Sequence, residues 1–140
     1  MLPTRTVWNG LSDLAKGLKV FADVRPYPAH RLNDMAFLKD FPGLALPACL
    51  VVRLGRQDTA KGQAMERVTD WSFVIVCKDA AGDAWQDAVD LEDGVTGLLD
   101  KLILNDQVEL NGSNSVSIAF ANTRFAVHEI AATTRELATR

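Results

Sequence analysis

Trp71-Ser72-Phe73-Val74-Ile75-Val76-Cys77-Lys78 is a run in which every interior position but one is apolar. Residues two apart share a face of a strand, so Trp71, Phe73, Ile75 and Cys77 fall on one side and Ser72, Val74, Val76 and Lys78 on the other. Apolar side chains on both sides predict a central strand covered on each face. Upstream, Pro47 opens a second such run, Ala48 to Leu54, which ends at Gly55. The polar stretch from Gly55 to Asp70 reads as a long loop, the kind of segment that in a compact domain is either functional or mobile. Further towards the N-terminus, Val20 to Arg25 reads as a short strand stopped by Pro26 and Pro28, neither of which can donate to a ladder. Between His30 and Leu46, the residues Met35, Phe37, Leu38 and Phe41 fit either a helical turn or a loop packed on the core. At the start, Val7, Leu11, Leu14 and Leu18 line one face of an amphipathic helix, which Gly10 and Gly17 weaken.

Downstream of the central run, Asp83 with Gln86 three positions later matches a capping box, preceded by Gly82. Trp85, Val89, Leu91, Val95, Leu98, Leu99, Leu102 and Ile103 then recur at helical spacing, predicting a main helix to about Leu104. Its opposite face is acidic, with Asp79, Asp83, Asp87, Asp90, Glu92 and Asp93. Three strands follow, Gln107 to Leu110, Val116 to Ala121 and Phe125 to Ile130, with turns expected at Asn111-Gly112 and Asn122-Thr123. Residues 132–140 are polar and read as a frayed tail. The fold class this predicts is α+β: one domain over residues 1–140, with a mixed, largely antiparallel sheet and two main helices packed on one face.

The chain has 140 residues, 48% hydrophobic and 24% charged, the balance of a globular protein that folds without staples. No signal-peptide core or apolar run of membrane-spanning length occurs, which predicts a protein made in the cytoplasm and not inserted in a membrane. Net charge is −3 but unevenly placed: residues 1–70 carry ten Lys/Arg against seven Asp/Glu, and residues 71–140 five against eleven. An acidic chain is poorly suited to neutralising phosphates, so direct sequence-specific nucleic-acid binding is not expected. A two-signed chain can instead place opposite patches on opposite sides, which suits head-to-tail self-association.

No motif implies catalysis, a metal or a cofactor. Cys49 and Cys77 lie inside apolar runs as small hydrophobes, and with only His30 and His128 they fall short of a zinc set. A hydrolase built on either cysteine with a histidine is the third-ranked reading, since nothing flanks the thiols to activate them. Asp90-Leu91-Glu92-Asp93-Gly94 lacks the ligand spacing of a calcium loop, and Gly94 and Gly97 follow helical residues where a phosphate loop would follow a strand. His128 reads as a structural or surface histidine within a strand.

The order Pro47-Ala48-Cys49-Leu50-Val51-Val52-Arg53-Leu54-Gly55, a polar stretch, Trp71-Ser72-Phe73-Val74-Ile75-Val76, one long helix, then Phe125-Ala126-Val127-His128-Glu129-Ile130 resembles the tail-terminator or tail-completion proteins of long-tailed bacteriophages, most closely the Mu-like prophage branch. The likeness lies in element order and strand texture and spans most of the chain. It implies a structural protein without enzymatic activity. Such a protein forms a homo-oligomeric ring, commonly a hexamer, that terminates the tail tube and meets the head-side connector. It implies assembly in the bacterial cytoplasm and a final place in the virion tail. On that reading Arg53, Arg56, Lys61 and Arg67 are the charged elements of the contact loop, and Asp83, Asp87 and Asp90 on the acidic helix are a counterpart. The alternative reading is a small α+β binding or regulatory module without catalysis.

Overall fold

The computed structural model describes residues 2–32, 39–40, 43–78, 90–91, 93, 108–118 and 125–139, with side chains left undescribed at 108–126 and 139. One α-helix, α1 (Thr4–Gly17), precedes the strands β1 (Asp23–Tyr27), β2 (Ala48–Lys61), β3 (Ala64–Lys78), β4 (Val108–Ile118) and β5 (Phe125–Thr139), with a 3₁₀ turn at Ala29–Leu32 after β1. The strands form one sheet in the order β1-β2-β3-β5-β4, with β1 parallel to β2 and the other pairs antiparallel.

Alternation along β2 and β3 builds two separate apolar layers. Cys49, Val51, Trp71, Phe73, Ile75, Cys77, Ile130 and Ala132 face α1 and pack on Val7, Leu11 and Ala15. Ala48, Leu50, Val52, Val74, Val76 and Val127 face the other way and pack with Tyr27 at the end of β1 and with Leu32, Leu44 and Leu46 from the segment joining β1 to β2. Two tryptophans fix α1 on the sheet. The Trp8 indole donates to the Val51 carbonyl at 2.6 Å, at the position in register with Pro26, which has no N–H to offer a neighbour. Trp71 donates to the Thr134 hydroxyl at 2.8 Å and meets Trp8 edge to face, with ring centroids 6.1 Å apart.

The expectation of two main helices on one face is corrected: sheet predominates and α1 is the single α-helix with assigned bounds among the described residues. Of the segment read as the main helix, Asp90, Leu91 and Asp93 are described and helical; the remainder, Asp83 and Asp87 included, lies outside the described residues.

The excess of sheet has a local cause. The stretch read as a loop, 55–70, is the distal half of a long hairpin in which β2 runs to Lys61, turns at Gly62-Gln63 and returns as β3 from Ala64. Gly62 has φ +61, and a glycine with positive φ at the first of two turn positions is the pattern of a type II′ hairpin turn. The tail read as frayed is the second half of β5, paired along β3 as far as Thr139↔Ala64. Asn111-Gly112, read as a turn, lies within β4, where a bulge between Gly112 and Ser115 absorbs the irregularity. Likewise β1 continues through Pro26, which an edge strand tolerates.

Candidate interaction surface

The bulge in β2 lies between Arg53 and Gly55, with Leu54 as the extra residue, 47% exposed. It falls at the same level of the sheet as the bulge in β4, because Arg53, Trp71, Ala132 and Gly112 form one row across four strands. Bulges bend a strand and increase its twist. Beyond this row the sheet becomes a four-stranded arm made of the distal parts of β2, β3 and β5 and the first residues of β4.

An extra residue also reverses the parity of β2. Before it, Cys49, Val51 and Arg53 face α1; after it, Arg56 and Asp58 do, in register with Thr69 and Arg67. Asp58 accepts a forked pair from Arg67, Nε at 3.0 Å and Nη2 at 3.3 Å, and a further ion pair from Arg56 at 3.4 Å. The Arg67 guanidinium beside Asp58 holds that carboxyl below its ordinary range. Arg67 also donates to the Leu2 carbonyl at 3.3 Å, and the Leu2 N–H donates to Glu136, 2% exposed, at 3.0 Å. Arg56 reaches the Thr4 hydroxyl at 3.2 Å. The segment leading into α1 is thus clamped onto this face of the arm. On the opposite face Glu66 lies between Lys61 at 2.9 Å and Arg135 at 3.3 Å, and Lys61, then Arg135, lowers its carboxyl in turn.

Of the charged residues read from the sequence as a contact set, Arg56, Lys61 and Arg67 do converge on the arm, each engaged by a neighbouring carboxylate. Arg53 sits half-buried at the root of the arm with no ion pair among the described residues. Asp90 is helical and exposed. The residues that sequence reasoning missed are the partners Asp58, Glu66, Arg135 and Glu136. The local signal for Asp58 is the opposite charge two residues from Arg56, at the spacing that shares a strand face; Glu66, Arg135 and Glu136 had no such signal.

A second feature lies beside β1. Arg31 and Tyr27 both donate to Asp40, Arg31 through Nε at 2.8 Å and Nη2 at 2.7 Å, while Arg25 pairs with Asp23. Arg25, Tyr27 and Asp40 border a cavity of about 400 Å³ lined also by Lys39 and Leu44. Burial, with the Asp40 carboxylate beside it, pushes the Tyr27 hydroxyl up to about 12, and Cys49, fully enclosed, is pushed up to about 12 by burial. A thiol so placed stays protonated at neutral pH and is a poor nucleophile. No group of His, Cys, Asp and Glu that could hold a metal ion occurs among the described residues. None of their helices is long and apolar enough to cross a membrane.

No family model matches the sequence, and no curated protein does. Among solved structures, the fold matches a chain in the virion of a native gene transfer agent particle. The TM-score is 0.56 at 12% sequence identity, over 94% of this chain and 95% of that one. At that identity the match establishes a shared fold, running nearly end to end in both chains.

Proposed function

We propose that this chain is a structural subunit of a phage-type particle. It assembles with copies of itself into a ring that closes a tail tube and meets the head-side connector. It is made in the bacterial cytoplasm and ends in the virion. The observation that carries the reading is the nearly end-to-end likeness to a chain of a gene transfer agent virion. The arm supports it: its polar groups hold one another in place across strands, an arrangement suited to presenting a rigid surface and not to transforming a substrate. The ring, and its place at the end of a tube, follow from the element order that resembles tail-terminator proteins.

Purified protein, alone and mixed with tail-tube protein from the same genome, tests the reading by light scattering and electron microscopy. A ring of several copies, formed alone or on the tube end, is the expected result. A chain that stays monomeric and ignores the tube would overturn it and favour the binding-module reading, for which the cavity beside β1 is the place to look for a ligand.

A further inference from the structure

The two outer edges of the arm differ from the edge that β1 forms. β1 pairs with β2 only from Ala48 to Val52, so β2 from Arg53 to Lys61 has β3 on one side and no strand on the other among the described residues. Leu54 and Arg56 to Lys61 are all exposed, so this edge meets solvent. No proline lies in it, whereas β1 carries Pro26. On the far side β4 pairs with β5 alone among the described residues. Each edge offers a row of backbone donors and acceptors that another strand can take up.

We infer that, in the ring proposed above, on which this inference rests, copies join edge to edge. The distal edge of β2 in one copy pairs with β4 of the next. Strand direction supports this. Three antiparallel pairings separate β2 from β4, so β4 runs opposite to β2. A copy related by rotation about an axis along the strands therefore presents its β2 antiparallel to the first copy's β4, the more stable arrangement. Charge supports it too. Arg53, Arg56 and Lys61 against Asp58 give the β2 edge a formal charge of +2, while β4 carries Glu109 alone, −1. Pairing β2 with β2 would set +2 against +2. A join between different edges is heterologous and closes into a ring when the rotation allows.

Disulfide trapping tests the join. Gln57, Val68, Arg135 and Glu109 form one row across the arm, and Asn111 lies level with Gly55. Double variants combining Gln57→Cys or Thr59→Cys with Glu109→Cys or Asn111→Cys are oxidised under assembly conditions and run without reductant. Cys49 and Cys77, 0% and 4% exposed, stay out of the reaction. The expected result is a ladder of covalent multimers from at least one double variant and no cross-linking of the single variants. Dimers from Gln57→Cys or Thr59→Cys alone would overturn the inference in favour of β2 meeting β2. Rings visible by microscopy without cross-linking in any double variant would overturn it while leaving the ring itself standing. A protein that stays monomeric with tube protein present would overturn both.

Discussion

At the scale of single residues, stability rests on polar groups at the margins of the two apolar layers. The Trp71–Thr134 hydrogen bond is buried, with Trp71 at 1% and Thr134 at 1% exposure. Trp71→Phe removes the donor, strands the threonine hydroxyl and puts a smaller ring against Trp8, so a loss of about 1–3 kcal/mol is expected from urea unfolding. Adding Thr134→Val to the Trp71→Phe variant should restore part of it, because the stranded acceptor is then gone too. Asp40 titrates differently. Its hydrogen bonds from Arg31, and then from Tyr27, lower its carboxyl to about 2 from an ordinary 3.8. A depressed folded value means stability that is complete above the unfolded value and is lost as pH falls through the folded one. Asp40→Asn should therefore unfold at lower urea than the parent at pH 7, with the gap closing between about pH 4 and pH 2. A gap unchanged at pH 2 would show that the carboxylate charge plays no part in holding the turn after β1.

Among the secondary-structure elements, the arm depends on its turn. Gly62 has a positive φ with open space around its Cβ position, so Gly62→Ala is penalised by backbone strain alone, about 1–3 kcal/mol. Hydrogen exchange should localise the loss to the amides of Thr59 to Glu66 and leave Ala48 to Val52 protected. The buried parts of β2 and β3 were legible from sequence because apolar residues at nearly every position, Ser72 aside, leave a strand little alternative. Their faces divide between the two layers as alternation requires. The arm was illegible for the opposite reason: residues 56–70 carry no apolar periodicity, since both sides of the arm are polar and its order comes from cross-strand partners absent from any local window. The Ala, Thr, Arg and Glu residues of the second half of β5 disguised that strand in the same way. Asn111-Gly112 gave a correct local signal of irregularity that pairing with β5 converted into a bulge. The structure gathers Arg56, Lys61 and Arg67 on the arm, but their ion pairs with Asp58 and Glu66 were not legible, because those carboxylates lie in the same stretch and read as part of the same loop.

For the whole molecule, the surface proposed for contact also holds the fold together. Arg67 ties β2, β3 and the segment before α1 to one another, so Arg67→Glu would face Asp58 and Glu136 with a third carboxylate. Its melting temperature should fall, and limited proteolysis should release the first residues before the sheet opens. Loss of assembly in that variant would therefore report folding as much as contact, and alterations at Gln57 or Thr59 are the cleaner probes. The strand order carries a further consequence for how the chain is made. β5 is synthesised after every other strand, yet it lies between β3 and β4. Until it leaves the ribosome, β4 lacks a neighbour among the described strands and the β3 edge that β5 covers is open. A nascent chain can form the β2–β3 hairpin but cannot close the sheet, and one halted before Phe125 forfeits two strands, not one. In the ring proposed above, a copy is ready to join its neighbours only after the segment up to Thr139 has emerged and paired, which places assembly after synthesis of β5.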